Sequence, residues 1–259
     1  MTRFSANLGF LWPDRPLLER IEAAGRAGFR AVELHWPYDV PAEAVKRTCA
    51  RQGLRLLGLN TPLGDAANDF GLGAVPGREA DFRAGFDLAV AYARASGASA
   101  IHAMAGVVSP DERDKAKDVF RHNIAQAADK AAQHGITLLL EAINPRDKPG
   151  YFYSTVGEVA GLIGEIDRPT LRMMFDVYHV AIAEGDILTK LKRHMESIGH
   201  VQIAAVPSRA EPDEGEIAYR AVFEALDRLG YAGWVGCEYK PRGHTEEGLL
   251  WTQTLGVTL

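Results

Sequence analysis

Eight times along the chain a short apolar run is followed by a longer amphipathic stretch, and few folds satisfy that pattern. The runs read as strands near 4–10, 30–35, 54–60, 99–104, 136–142, 171–176, 199–204 and 233–239. The stretches between them read as helices near 15–26, 41–52, 79–96, 110–134, 155–165, 180–196, 216–229 and 245–253. Gly28, Gly53, Gly97, Gly135 and Gly230 each close a helical pattern and precede an apolar run. Glycine ends a helix cheaply there because it accepts the left-handed conformation. Ser109-Pro110-Asp111-Glu112 and Thr155 with Glu158 read as capping boxes at helix starts. Strands joined by helical crossovers pair in parallel. The pattern therefore predicts the α/β class and a (β/α)₈, or TIM, barrel. An open doubly wound sheet is the rival. Its nucleotide fingerprint is missing, because GLGAVPG at 71–77 has the wrong spacing and follows no strand.

A chain of 259 residues fits one barrel of roughly 250, and residues 1–259 read as a single domain without a linker or a shift in composition. The glycine-rich segment 61–78 reads as a loop over one mouth of the barrel. The net charge is −5 and no long basic run occurs, which argues against a nucleic-acid partner. Cys49 and Cys237 form neither a CxxC pair nor a disulfide framework. No apolar run reaches the ~18 residues of a membrane span, and the first residues lack a secretory apolar region. A cytoplasmic protein with no membrane partner is expected.

Charge interrupts the apolar runs at informative places. Glu141 follows four apolar residues in ITLLLEAIN, and Asp176 ends the run in LRMMFDVYH. Gln202 lies inside GHVQIA, and Glu238 ends GWVGCEYKP. Each falls in a successive strand–helix unit, and barrel active sites lie at the C-terminal strand ends. Side chains alternate along a strand, so Leu139 shares a face with Glu141, Met174 with Asp176, His200 with Gln202, and Gly236 with Glu238. One choice of face sends all four polar groups to the barrel axis. Three carboxylates held together repel, and a hard divalent cation such as Mg²⁺ or Mn²⁺ relieves that repulsion. Taken singly, each residue could equally be a strand-end group bonded to a loop.

These segments, with FSANLGFLW, AVELHWPYD, GLNTPLGD, AVPGREADF, IHAMAG and HVQIAAVPSRAEPDEGEI, resemble the hydroxypyruvate isomerase family within the xylose-isomerase-like barrels. The resemblance covers nearly the whole chain. It implies that Glu141 and Glu238 are the catalytic pair and that Glu141, Asp176, Gln202 and Glu238 bind a divalent metal. Related sugar epimerases usually carry histidine where Gln202 stands. Ala142 departs from the proline expected after the first glutamate, and Pro145 is also unusual, which bears on substrate preference.

The implied reaction interconverts hydroxypyruvate and tartronate semialdehyde through an enediolate. One carboxylate takes a proton from the hydroxyl-bearing carbon, and the other returns one to the neighbouring carbon. The sequence does not say which glutamate does which.

Arg209, in PSRAEP, is the expected partner of the substrate carboxylate, with Lys240 as a second candidate. Each could instead be a solvated surface cation, and Glu211 either positions Arg209 or lies exposed. His179, three residues past Asp176, is expected to polarise a substrate oxygen or orient a ligand; a hydrogen-bonded loop histidine is the structural alternative. His102 lines the pocket or sits as a satisfied core group, His35 lies near another strand end, and His200 reads as structural. Asn7 and Asn60 bond to the pocket wall or cap strands. Phe10, Trp12 and Trp36 close the mouth or pack. Cys237 faces the helices.

Three other functions fit less well: a 2-oxo-tetronate or other sugar-acid isomerase or epimerase with the same pair, a DNA-repair nuclease, and a non-catalytic sugar-acid-binding barrel. The expected partner is a small 2-oxo or hydroxy acid. Association into a homo-oligomer is compatible with such a barrel, although no helix announces an interface.

Overall fold

The structure is a computed structural model and describes residues 2–259. Nine strands, all paired in parallel, surround one axis: β1 (Arg3–Asn7), β2 (Ala31–Glu33), β3 (Arg55–Leu56), β4 (Gly58–Asn60), β5 (Ala100–His102), β6 (Thr137–Glu141), β7 (Leu171–Asp176), β8 (Ile198–Ile203) and β9 (Trp234–Cys237). β3 and β4 are two halves of one stave interrupted at Leu57. β3 pairs with β2 and β4 pairs with β5. Leu57 spans the break, donating to the Val32 carbonyl and accepting from Ser99 N–H. The eight staves expected from the sequence are thus present, β7 over the whole of its expected run, β8 at its expected length but one residue earlier, and the other six shorter than theirs.

Helices α1 (Leu17–Arg26), α2 (Ala42–Arg51), α3 (Glu79–Ser96), α4 (Arg113–Ala132), α5 (Val156–Ile166), α6 (Val177–Ala183), α7 (Ile187–His194), α8 (Tyr219–Arg228), α9 (Thr245–Gly248) and α10 (Trp251–Leu255) follow the strands. The five punctuating glycines all have positive φ. Thr155 and Glu158 form the expected capping box at α5. Ser109 does not cap α4: its hydroxyl donates to the Glu112 carboxylate, and Pro110–Glu112 form a 3-10 turn before the helix begins. The helix expected over 180–196 starts earlier and is cut in two, with Gly185 and Asp186 both left-handed at the break.

The strand alternation predicted for four staves holds. Phe4, Leu138, Leu140, Met173, Phe175, Val201, Ile203, Val235 and Cys237 belong to the layer packed against the helices. Leu139, Glu141, Met174, His200, Gln202 and Glu238 line a cavity on the axis. Each large apolar side chain in the outer layer contributes about 1.5–3 kcal/mol, and this layer holds the inner groups in register. Burial raises the Cys237 thiol well above its ordinary range, which leaves it a packing group.

Segment 61–78 carries no helix and docks through an antiparallel bridge between Gly71 and Ala105. Gly71 has φ of 95°, and a Cβ there would overlap Met104, so only glycine lets the loop lie this close. Phe70 beside it lines the mouth.

Candidate active site

Glu141 and Asp176 end β6 and β7, Gln202 lies near the end of β8, and Glu238 is the first residue past β9. All four are buried. Parallel pairing puts Asp176 level with Gln202. Single ligand atoms of Glu141, Asp176, His179 and Glu238 lie within 4.8 Å of one another. The structure therefore brings the four predicted residues to one end of the axis and adds His179 to them.

The carboxylates differ in their partners. Glu238 is surrounded by donors: Asn7 Nδ2 at 3.1 Å, His35 Nε2 at 3.0 Å and Gln202 Nε2 at 3.3 Å on Oε1, and an Arg209 terminal nitrogen at 2.9 Å on Oε2. Burial alone would raise its pKa, but the His35 hydrogen bond and the Arg209 charge more than offset this and hold it at about 2. Asp176 spends Oδ1 on the N-terminus of α6, accepting from Tyr178 N–H at 2.9 Å. Its Oδ2 has no partner, nor does Glu141 Oε1. Burial first, then the Glu238 charge, pushes Asp176 up to about 8 and Glu141 well above the usual carboxylate range.

These observations decide whether a cation fits. Glu141 Oε1, Asp176 Oδ2 and Gln202 Oε1 are buried acceptors without donors, and buried polar atoms are rarely left so. Oxygens bound to Mg²⁺ at ~2.1 Å lie up to ~4 Å apart across the ion, so the cluster, whose ligand atoms lie within 4.8 Å of one another, would draw in slightly around it. A hard divalent cation fits this oxygen-rich set.

His179 does not complete that set in its present form. Its Nδ1 accepts the Asn144 backbone N–H at 3.2 Å, so Nδ1 carries no proton. Burial, then Arg209, lowers its pKa to about 3, so the ring is neutral and the proton sits on Nε2. Nε2 lies 3.7 Å from Glu141 Oε1 and 3.6 Å from Asp176 Oδ2. His179 presents an N–H donor to the site rather than a lone pair.

His102 is buried with Nδ1 3.5 Å from Glu141 Oε2, and burial lowers its pKa to about 4. Arg209 is an interior group, left-handed at φ 58°. It donates to Glu238 and, at 3.1 Å, to Asp147 Oδ2. Its guanidinium lies over the rings of Phe10 and Tyr178. Lys240 is exposed at the rim and lines the mouth, a cavity of about 360 Å³ shared with Phe10, Trp36, Phe70, Lys148 and Arg209. Glu211 neither positions Arg209 nor lies exposed: it is fully buried and pairs with Arg242 at 3.0 Å. Trp12 is buried against Phe29 and does not close the mouth.

Sequence reasoning missed Glu33, Asn144, Asp147 and Lys148. Glu33 lies on the axis, where His200 Nε2 meets its Oε2 at 2.8 Å. A Cβ at Gly236 would overlap Glu33 Oε1, so the glycine makes room for this second, deeper carboxylate. The only signal was an acid inside the apolar run AVEL.

Residues 21–255 match the family model of the xylose isomerase-like TIM barrel. The chain is 45% identical over 253 residues to the 2-oxo-tetronate isomerase of Cupriavidus necator, covering 97% of each. It is 38% identical over 253 residues to the hydroxypyruvate isomerase of Escherichia coli, covering 97% of this chain and 98% of that one. A crystal structure described as AP endonuclease, family 2, from Brucella melitensis superposes with a TM-score of 0.95 at 43% identity, covering 98% and 99%.

Proposed function

We propose, from the premise that the chain belongs to the xylose isomerase-like TIM-barrel family, that it interconverts hydroxypyruvate and tartronate semialdehyde. The chain is an isomerase, as its relatives of both names are. The observation that carries the reading is the pair Glu141 and Glu238, buried at the ends of β6 and β9 around one cavity. Moving a carbonyl to the adjacent carbon needs one group to take a proton from C3 and another to deliver a proton to C2. The hydroxyl proton passes from O3 to O2, so atoms and charge balance. The reaction is reversible, so each glutamate serves as base in one direction and acid in the other.

Glu141, Asp176, Gln202 and Glu238 would hold Mg²⁺ or Mn²⁺, and a divalent cation supplies a Lewis acid that disperses charge developing on the two substrate oxygens. The Nε2–H of His179 donates to the oxygen that gains charge. His102 packs against Glu141 and fixes its carboxyl. Arg209 holds Glu238 and keeps a second hydrogen on each terminal nitrogen for the substrate carboxylate. Lys240 offers a further cation at the rim. Phe10, Trp36 and Phe70 exclude water from the reacting carbons.

The identity to a 2-oxo-tetronate isomerase and the roomy mouth favour a four-carbon 2-oxo acid as the second reading, with the same proton transfers. The endonuclease name of the Brucella structure does not change the proposal. A net charge of −5 does not suit a phosphate backbone. We read the protein as an enzyme of small acids working in the cytoplasm. Among the described residues no helix is long and apolar enough to cross a membrane.

Incubation with each acid in deuterated water and Mg²⁺, followed by NMR, tests both readings. Conversion of hydroxypyruvate with deuterium at carbon is the expected result. Conversion of only the four-carbon acid moves the substrate to the second reading. Failure of both in a folded, Mg²⁺-loaded sample would overturn the proton-transfer proposal.

A further inference from the structure

We infer that Glu33 is a positioning residue that sets which way round the Gln202 amide faces; the inference rests on the ligand set proposed above. Both hydrogens of Gln202 Nε2 are spoken for, one by Glu33 Oε2 and one by Glu238 Oε1, each at 3.3 Å. The two ends of an amide are nearly the same size, so its orientation is decided by its neighbours. Turned over, the amide would set its oxygen against two carboxylate oxygens and lose both hydrogen bonds. Held as it is, Gln202 Oε1 is left as a buried acceptor without a protein donor. An acceptor in that state is costly unless something bound takes it, and a cation at the site does so.

Glu33 is itself fixed. It is buried at the end of β2, level with Asn7 of β1. His200 Nε2 anchors the same Oε2 at 2.8 Å, and the missing side chain of Gly236 gives Oε1 its space. Thus Asn7 and Glu33, neighbours in register, work on adjacent members of the site: Asn7 donates to Glu238, and Glu33 accepts from Gln202. Partners of this kind typically change metal affinity by roughly 10–100-fold.

A buried negative charge also attracts a cation without orienting anything, and the test separates the two effects. Mn²⁺ affinity is measured by isothermal titration calorimetry on the full chain, with metal-free melting followed by circular dichroism. The set is wild type, Glu33→Asp, Glu33→Gln, Gln202→Ala and the two double variants. Aspartate keeps the charge but falls short of Gln202. The expected result is that Gln202→Ala and both Glu33 variants each weaken Mn²⁺ binding by roughly 10–100-fold. In the Gln202→Ala background, changing Glu33 should add less than about twofold, because the two act as a unit.

Normal binding by Glu33→Asp beside weak binding by Glu33→Gln means that charge alone matters and overturns the inference. Independent, multiplying losses in the double variants do the same. Unchanged binding by Gln202→Ala removes Gln202 from the ligand set, a distinct failure that takes the inference with it. Should the Glu33 variants not fold, His200→Gln loosens the same carboxylate from its other side and carries the same comparison with Gln202→Ala.

Discussion

Glu238→Gln is expected to slow isomerisation by roughly 10²–10⁴-fold, the range of a lost acid–base group, and to lower the stability of the metal-free protein as well. Four donors converge on this carboxylate. A neutral amide weakens the hydrogen bond from Arg209, which is largely buried, and turns an NH₂ group toward other donors. Charge-assisted hydrogen bonds are worth about 1.5–3 kcal/mol, so a loss on the order of 2–3 kcal/mol is expected in chemical denaturation. Glu141→Gln makes the contrast. It should abolish turnover equally, yet leave metal-free stability unchanged or raised. Glu141 Oε1 has no donor to lose, and its burial beside Glu238 and Asp176 already penalises its charge. If Glu141→Gln destabilises the metal-free chain as much as Glu238→Gln, the unequal surroundings described for the two carboxyls are wrong. If either variant keeps full activity, the pair is not the catalytic pair.

The second large effect concerns the cation, and its sign follows from the raised carboxyls. Asp176 stands at about 8 in the folded chain against ~3.9 unfolded, and Glu141 is raised too. Each contributes stability that is fully present below its unfolded pKa and is lost as pH rises through its folded pKa. The lowered groups act elsewhere. His102 and His179 contribute stability above their unfolded pKa of ~6.5 and lose it below that. Glu238 contributes above ~4.3 and loses it as pH falls toward about 2. Asp176, at about 8, changes ionisation between about pH 6.5 and 9. With chelator, the melting temperature should therefore fall across that window. Mg²⁺ or Mn²⁺ at a hundred times its dissociation constant should add about 2.7 kcal/mol, or roughly 5–10 °C for a chain of this size. At one fixed cation concentration that gain should be larger at pH 8.5 than at pH 6.5. Scanning calorimetry at the two pH values decides it. A gain that shrinks with rising pH would mean that the cation does not bind the ionised carboxylates.

The barrel was legible because its signals repeat: eight apolar runs, and glycines that all prove left-handed. The acids at the strand ends were legible because each closes a run whose alternation sets its facing. Glu33 hid in β2, which has only three residues, too few to fix a phase. Its partners are also remote, with His200 lying 167 positions away. A separation of 31 positions hid Arg242 as the true partner of Glu211, so the nearby Arg209 looked the better match. His179 was placed near Asp176, but its proton location depends on Asn144, which belongs to another strand–helix unit. Local signals, such as the Thr155 box, survived intact. The Ser109 box failed because its serine bonds the glutamate side chain instead of the backbone.

The glycine beneath Glu238 has a consequence for descent. A side chain at 236 would displace the acid at 33 from its present place, although the two lie on β9 and β2, far apart in sequence. Lineages that keep the deeper acid should keep that glycine. A lineage that replaces the glycine should first have lost or moved the acid, whereas the acid can go alone. An alignment of relatives should therefore show glycine at 236 wherever the acid at 33 is kept, but not the converse.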